Sequence, residues 1–241
     1  MYGITHNVTE RKKAEDIVAR HQVLLEETVA QRTAELEEAR WETLRCLALA
    51  AEYRDDQTYE HTQRVGRTAA LLGERLGLDP DWCELIRHAA PLHDVGKLGM
   101  PDSILLKPGK LTPEELEIVR GHAAAGARIL SGSGSALLQL AEEIAGTHHE
   151  WWDGNRYPAR LAGEEIPLSG RIAAVADVFD ALTHERPYKA AWSVEDAVEE
   201  MRRLSGVQFD PAIIEAFDEL DHFEIAGQAS TRPVTYLRAV G

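Results

Sequence analysis

The sequence of 241 residues has few of the features that mark secreted or membrane-spanning proteins. Its two cysteines, Cys46 and Cys83, exclude a disulfide scaffold and any CxxC zinc site. No uninterrupted apolar run approaches the roughly 18–20 residues of a membrane-spanning helix, and the N-terminus lacks the apolar core of a signal peptide. We therefore expect a protein of a reducing compartment, most simply the cytoplasm, with no membrane span.

Basic residues are also scarce. The chain has 26 Lys and Arg against 41 Asp and Glu, a formal net charge of −15. Nucleic-acid backbones are held mainly by Lys and Arg, so this balance argues against a general nucleic-acid-binding protein. An anionic partner would need local cations, and bound metal ions are one source of them. Ten histidines are present as possible ligands, although we expect His222, near the end of the domain, to be solvated.

The first part of the chain has the composition of one long helix. Glycine and proline are absent from Arg11 to about Ala50, where Glu, Ala, Arg and Leu predominate. A spacing of three and four residues relates Val18, Leu25, Val29, Leu36, Ala39, Thr43, Cys46 and Ala50, with Gln22 and Arg32 as polar interruptions. This pattern predicts a parallel coiled coil, and therefore a homodimer. The alternative is a single amphipathic helix that folds back on the domain.

Helical periodicity continues beyond residue 50, and no alternating run is long enough to build a sheet, so the predicted fold class is all-α. Asp79-Pro80 is a helix start, and that helix is expected to continue to His93-Asp94. Thr112-Pro113 is a second start, with a capping residue before proline. Further helices are expected over roughly 136–149, 168–184, 193–204 and 211–222.

Seven histidines and aspartates are informative, and two doublets among them lie at predicted helix ends, where side chains from several helices can converge. The set consists of His61, His93, Asp94, His122, His148, His149 and Asp177. Imidazole and carboxylate together suit first-row divalent metals. The doublets His93-Asp94 and His148-His149 precede loops with Gly96 and Gly154, which let the backbone pass close to a site. Asp177 lies on an otherwise apolar helix, where a buried carboxylate without a partner would be costly and a metal would remove that cost.

Four motifs in this order resemble the HD-GYP subfamily of the HD phosphohydrolase superfamily. They are His93-Asp94-Val95-Gly96-Lys97 with residues 101–105, the run 148–158, the run 176–183 with Arg186-Pro187-Tyr188-Lys189, and Phe209-Asp210-Pro211. The resemblance covers about residues 42–222. It implies an HD-type helical bundle that hydrolyses the bacterial second messenger cyclic di-GMP to linear pGpG at a metal cluster, with further cleavage to GMP left open.

The resemblance also implies the site residues. Its metal ligands fall on the seven His and Asp residues above, and its substrate-binding residues on Lys97, Asp180, Arg186, Lys189 and Tyr157. We expect two divalent ions, Fe or Mn first, with Ni, Co or Zn as alternatives. Asp94 would bridge them, with His61, His93 and Asp177 on one ion and His122, His148 and His149 on the other. A bridging hydroxide would attack phosphorus, and Lys97 would neutralise or protonate the leaving group.

Two positions depart from the family pattern. Gln57 stands where some members have a glutamate that helps to hold a third metal, so we expect no third ion. Arg156 replaces the glycine of the motif after which the subfamily is named. An arginine at this place could add affinity for phosphate, block a partner-docking surface or point into water, and the sequence leaves these alternatives open.

The expected domain order has four parts. They are a PAS-type sensor remnant over 1–10, a signalling helix over 11–41, an HD-GYP catalytic domain over 42–222 and a tail over 223–241. The first part rests on Gly3-Ile4-Thr5-His6-Asn7-Val8-Thr9-Glu10-Arg11-Lys12, which resembles the last strand of a PAS domain leading into its signalling helix. The chain is then a cyclic di-GMP phosphodiesterase regulated through its N-terminal helix, with GGDEF-type or other signalling proteins as further partners. The alternatives are an HD hydrolase of another nucleotide, or a degenerate module that binds the messenger or a partner protein without cleaving anything.

Overall fold

The computed structural model describes residues 2–52, 59–185 and 190–227. Within these ranges the chain is helical and no strand is formed, which confirms the predicted all-α class. The α-helices are α1 (Tyr2–Glu52), α2 (Tyr59–Arg75), α3 (Pro80–Ala89), α4 (Asp102–Leu105), α5 (Pro113–Arg120), α6 (His122–Leu130), α7 (Ala136–Thr147), α8 (Leu168–Thr183), α9 (Val194–Arg203), α10 (Pro211–Asp218) and α11 (His222–Ile225). Short 3₁₀ helices cover Ala90–Leu92, Val95–Gly99 and Gly163–Glu165.

Two compact units divide the chain, Met1–Leu44 and Arg45–Gly241. The first is the long helix α1, stabilised by pairs one turn apart such as Arg11 with Glu15, whose Nε and Oε1 are 2.8 Å apart. Residues 3–9, which the resemblance predicted to be a strand, belong to this helix. A single strand without a neighbour leaves its backbone groups unpaired, whereas a helix pairs them within the segment.

In the second unit the predicted helix starts are confirmed. The Asp79 carboxylate accepts a hydrogen bond from the backbone N–H of Asp81 (2.9 Å), with Pro80 at the first helical position. Thr112 and Glu115 form a reciprocal capping box at the start of α5. Local side-chain chemistry therefore determines where these helices begin.

The predicted helix ends are less accurate. The helix from Pro80 does not continue to His93-Asp94 but gives way to a 3₁₀ turn over Ala90–Leu92, because Pro91 has no N–H for the helical ladder. The helix expected over 211–222 stops at Asp218. The Asp221 carboxylate accepts from the N–H groups of the following two residues and begins the separate helix α11. The helices expected near 136–149, 168–184 and 193–204 are confirmed to within about two residues at each end.

Helix α8 lies at the centre of the second unit. Its apolar side chains are almost completely buried, among them Ile172, Val175 and Phe179. Phe179 packs edge to face on Phe217 of α10, with ring centroids 5.0 Å apart. His222, which we expected to be solvated, is half-buried against Phe217, because α11 turns its first residue inward. This core holds α8 rigidly beneath the site described next.

Candidate metal centre

The seven predicted ligands come from separate parts of the second unit and meet in one buried cluster. His61 lies on α2, His93 and Asp94 follow α3, His122 begins α6, His148 and His149 follow α7, and Asp177 lies on α8. Side-chain nitrogens and oxygens of Asp94, His122, His148 and His149, here called the quartet, all lie within 4.8 Å of one another. The same holds for His61, His93 and Asp177, here called the triad.

Asp94 faces both groups. Its Oδ1 lies 3.1 Å from the Nε2 of His122 and 3.8 Å from the Nε2 of His148, both of the quartet. Its Oδ2 lies 3.3 Å from the Nε2 of His93, a member of the triad. One carboxylate therefore presents one oxygen to each group, which is the arrangement a bridging ligand requires.

Three of the histidines are oriented by main-chain carbonyls one turn earlier. His93 donates from Nδ1 to the carbonyl of Ala90 (2.9 Å), His122 to that of Val119 (2.7 Å) and His148 to that of Ile144 (3.1 Å). A carbonyl can only accept, so the proton of each neutral ring is on Nδ1 and the lone pair is on Nε2. Fixing the outer nitrogen in this way is typical of histidines that bind metals.

His61 is oriented differently, by a hydrogen bond between side chains. Its Nδ1 donates to Asp180 Oδ2 at 2.6 Å. Asp180 is gripped from the other side by Arg64, through a short contact from Nε and a 3.1 Å bond from Nη2. Burial opposes ionisation of Asp180, but the hydrogen bonds from His61 and Arg64 outweigh it and lower its pKa to about 2. Asp180 thus lies behind His61, on the side of the ring opposite Nε2.

Two inner nitrogens of the cluster lack a hydrogen-bond partner among the described residues. The buried Nε2 atoms of His61 and His148 make no hydrogen bond within the described ranges. Burial, with repulsion from neighbouring imidazoles, lowers the pKa of His148 to about 3 and that of His149 to about 2, so both rings stay neutral near pH 7.

The spacing within the quartet also suits a metal. The Nε2 atoms of His122 and His149 are 3.1 Å apart. Two nitrogens on one ion at about 2.0–2.1 Å lie roughly 3–3.4 Å apart. Orphaned imidazole nitrogens, two carboxylates and this spacing together fit first-row divalent ions. The residues present therefore could hold divalent metal ions.

Lys97 lies beside the bridging carboxylate. Its Nζ is 2.7 Å from Asp94 Oδ2, and both side chains are buried. Burial alone would raise the pKa of Asp94, but the Lys97 ammonium and the surrounding imidazoles overcome this and hold the pKa well below its ordinary value. Asp94 is therefore an anion.

Gly96 allows two ligand-bearing segments to meet. A Cβ atom at this position would lie 1.9 Å from the carbonyl oxygen of His122 and 2.5 Å from the backbone nitrogen of Gly126. No other residue type fits such an approach without moving the backbone. The close backbone passage that we predicted for the loop after His93-Asp94 is present, and it fixes Asp94 against α6.

The loop after His149 covers one side of the centre. The buried carboxylate of Glu150 accepts from the backbone N–H of Ala159 at 2.6 Å and so ties the two ends of the loop together. Tyr157 stacks on His149 with ring centroids 4.9 Å apart, and burial raises its pKa to about 12. Arg156 is exposed, with its guanidinium 4.7 Å from the ring centre of Trp151.

Some predicted residues cannot be placed. Gln57, Arg186 and Lys189 lie outside the described residues, as does the tail from 228 onward. Sequence reasoning also missed Arg64, which holds Asp180, and Glu150. The available signal for Arg64 was its position three residues after His61 on a predicted helix, which puts both on one face.

The described domain is helical and contains a buried His–Asp centre that could hold divalent ions. These features place the chain in a class of metal-binding helical proteins. The chain belongs to the HD domain family, whose model matches residues 45–213. Among the described residues no helix combines the length and apolarity needed to cross a membrane.

Curated relatives narrow the comparison. The chain is 50% identical over 198 residues to a cyclic di-GMP phosphodiesterase of Thermotoga maritima, covering 82% of this chain and 54% of that protein. It is 42% identical over 227 residues to the cyclic di-GMP phosphodiesterase response regulator RpfG of Xanthomonas campestris, covering 93% and 60%. It is 46% identical over 190 residues to 3'3'-cGAMP-specific phosphodiesterase 2 of Vibrio cholerae, covering 79% and 36%. The chain thus spans little more than half of the length of the first two relatives.

Solved structures share the fold. A cyclic GMP-AMP-specific phosphodiesterase of V. cholerae aligns with a TM-score of 0.56 at 24% identity, covering 74% of this chain and 47% of that chain. An HD-GYP-type protein of Bdellovibrio bacteriovorus aligns with a TM-score of 0.52 at 22% identity, covering 66% and 50%. At these identities the likeness concerns the helical architecture, to which the centre above belongs.

Proposed function

We propose that this chain hydrolyses cyclic di-GMP to linear pGpG at a centre of two divalent metal ions. The observation that carries the proposal is the position of Asp94, which turns one oxygen to the triad and the other to the quartet. Relatives named cyclic di-GMP phosphodiesterases, at 50% and 42% identity, support the same substrate.

In this proposal His61, His93 and Asp177 hold one ion, His122, His148 and His149 hold the other, and Asp94 is shared. Such a metal pair supplies charge for the phosphate and makes a water acidic enough to act as a nucleophile near neutral pH. Fe or Mn are the ions we expect, and no third ion because of Gln57.

The chain's own side chains supply the remaining chemistry. The Lys97 ammonium lies 2.7 Å from Asp94, where it neutralises negative charge that develops on the leaving ribose oxygen. Asp180 holds His61 in the tautomer that leaves Nε2 free. Arg186 and Lys189 would bind a substrate phosphate, Arg186 through a bidentate fork and Lys189 as a point charge.

Hydrolysis of 3'3'-cGAMP is the second candidate. Three relatives of V. cholerae carry that activity in their names, at 46%, 42% and 36% identity to this chain. Both substrates contain the same pair of 3',5'-phosphodiester bonds, so one metal centre could act on either. The bases alone distinguish them.

Product chromatography separates these functions. Anaerobically purified protein with Mn or Fe is incubated with cyclic di-GMP, 3'3'-cGAMP and pGpG in parallel. We expect pGpG from cyclic di-GMP and slower turnover of the other two. Preferential turnover of 3'3'-cGAMP would transfer the assignment to the second candidate. Binding of cyclic di-GMP without any product would instead indicate the degenerate module.

We also propose that a second copy of this chain covers the apolar stripe of α1 as a parallel coiled coil. Val18, Leu25, Val29 and Leu36 are 56–72% exposed in the single chain. Their heptad spacing is the pattern that a second helix buries. Sedimentation should show a dimer at micromolar concentration that Leu25→Asp dissociates, whereas Glu27→Asp, at an exposed position off the stripe, should not. A monomeric wild type would contradict the coiled coil.

The proposed domain order keeps a catalytic domain over 42–222, preceded by the helix 11–41 and followed by the tail 223–241. The resemblance of residues 3–9 supports a preceding PAS-type sensor, from which α1 would carry the signal. Rotation or a register change of the paired helices would then alter access to the centre. Two cysteines without a disulfide support a cytoplasmic location.

A further inference from the structure

An open cavity of about 320 Å³ lies on the outer side of Tyr157. Its charged lining consists of Arg120 from α5, Arg156 and Arg160 from the loop after the His148-His149 doublet, and Glu117. Three guanidinium groups around one opening are unusual on a chain with a formal charge of −15. We call this opening the arginine cavity.

Two of its three arginines have no carboxylate partner. Arg120 pairs with Glu117, with Nη1 and Oε1 2.5 Å apart. Arg156 and Arg160 make no ion pair with any residue that the structure describes, and both are exposed. Glu117 offsets Arg120, so among the described residues the excess positive charge of the cavity comes from Arg156 and Arg160.

Arg156 is positioned by an aromatic face. Its guanidinium carbon lies 4.7 Å from the ring centre of Trp151, which is a cation–π distance. A guanidinium over an aromatic ring keeps N–H groups that can donate to an anion. The arginine that replaces the motif glycine is thus held in place at the mouth of the cavity.

Tyr157 connects the cavity to the metal centre. One contact of its ring is with His149 of the quartet, at 4.9 Å between centroids. The same ring lies 5.5 Å from the guanidinium carbon of Arg120 and 5.9 Å from that of Arg156. One aromatic ring therefore separates the quartet from the arginines.

We propose that the arginine cavity is an anion subsite that binds the second phosphate of a cyclic dinucleotide while the first lies at the metal centre. This inference rests on the proposed function, because it takes the substrate to be a cyclic dinucleotide. Such a ring has two phosphates, and only one can occupy the metals at a time. The other needs a separate partner, and planar guanidinium forks suit phosphate oxygens.

The subsite accounts for Arg156 as a residue that increases affinity rather than turnover. Its guanidinium acts on the phosphate that is not cleaved, so it stabilises the bound substrate and the transition state equally. Such uniform binding lowers KM and leaves kcat unchanged.

The test compares Arg156→Gln and Arg160→Gln with the wild type. Arg75→Gln is the matched control, since Arg75 is an exposed arginine at the end of α2 that does not line the cavity. Stopped-flow tryptophan fluorescence of the metal-loaded protein gives the Kd of cyclic di-GMP before turnover, and 3'3'-cGAMP is titrated in parallel. Steady-state rates give kcat and KM.

We expect each cavity variant to raise Kd and KM by about 10-fold, the effect of one lost charge-assisted hydrogen bond, with kcat unchanged. The factor should be equal for both dinucleotides, because they share the second phosphate. Raising the salt concentration should weaken binding to the wild type more than to the variants.

Unchanged Kd in both cavity variants would overturn the subsite, and so would a loss confined to one of the two dinucleotides, which would indicate base recognition. An equal loss in Arg75→Gln would reduce the effect to general surface charge and also overturn it. A wild type that binds neither dinucleotide would instead overturn the proposed function. The two failures are therefore distinguishable.

Discussion

The triad and the quartet differ in one imidazole, because His61 of the triad is held by a side chain, whereas His93 of the triad is held by a main-chain carbonyl like those of the quartet. In the quartet, His122 and His148 donate to main-chain carbonyls three and four residues earlier in the chain. In the triad, His61 depends on the carboxylate of Asp180, 119 residues away along the chain, which Arg64 in turn grips. Backbone carbonyls are present whatever the side chains are, whereas a side-chain clamp can be removed by one substitution. We therefore expect metal binding by the quartet to tolerate substitutions outside the ligands. Metal binding by the triad should be weakened by a single substitution that leaves the quartet intact.

The largest effect is expected where the two halves meet. Asp94→Asn removes the anion that both groups share, so both proposed ions should bind weakly and hydrolysis should fall by at least roughly 10²–10³-fold. Initial rates on cyclic di-GMP and metal content report the two consequences. Asp16→Asn, at an exposed position of α1, should change neither. Retention of full activity by Asp94→Asn would exclude the bridging role.

We expect Asp180→Asn to weaken metal binding by the triad and to leave the quartet unchanged. The amide keeps the size of the side chain but weakens its grip on His61 and Arg64, and such outer partners typically change metal affinity by about 10–100-fold. Competition with a chelator should reveal one weakened ion and one unchanged ion per chain. Equal weakening of both ions would show that the halves are not held independently.

A backbone change should test how the quartet is supported. Gly96→Ala places a methyl group 1.9 Å from the His122 carbonyl, a clash that should lower the free energy of unfolding by about 1–3 kcal/mol or more. Gly99→Ala in the same 3₁₀ helix is a matched control, because nothing lies within 4 Å of its added Cβ. Urea unfolding of the two variants measures the difference. Equal stabilities would mean that the approach at Gly96 relaxes without cost.

The smallest effect concerns a histidine outside both halves. Burial lowers the pKa of His222, with Asp218 and Asp221 opposing this shift and Arg202 adding to it. As pH falls below about 6.5 the unfolded chain takes up a proton that the folded chain does not, so His222 makes stability decrease toward acid. His222→Phe should shrink the loss of stability between pH 8 and 5. If this reduction is the same with and without metal, the effect of His222 on stability is independent of the metal centre. An unchanged dependence of stability on pH would contradict the lowered pKa of His222.

The sequence predicted the centre better than the segments around it. The doublets His93-Asp94 and His148-His149 stand in local motifs at predicted helix ends, and Asp177 stands on an apolar helix, so these residues can be recognised without knowledge of the fold. His61 and His122 were assigned through the resemblance. Arg64 and Glu150 were missed because their partners, Asp180 and Ala159, become neighbours only when the chain folds. The end of α3 was misplaced because the periodicity of apolar residues continues through Pro91, which cannot take part in the helical ladder.

Tertiary packing also determined the burial of His222. Its position near the end of the domain suggested solvation, but the turn capped by Asp221 directs the ring onto Phe217. For residues 3–9 the resemblance predicted a strand, but these residues form part of the helix that follows them. Local sequence therefore predicted where helices begin. Whether a side chain such as that of His222 faces the core or the solvent depended on tertiary packing.

Elemental analysis of anaerobically purified protein is the most direct test of the paired centre. We expect about two first-row divalent ions per chain, as in two-metal hydrolases, and close to none in Asp94→Asn. A wild type that holds no ion after incubation with Mn or Fe, or an Asp94→Asn variant that still holds two, would contradict a centre in which one carboxylate joins the triad to the quartet.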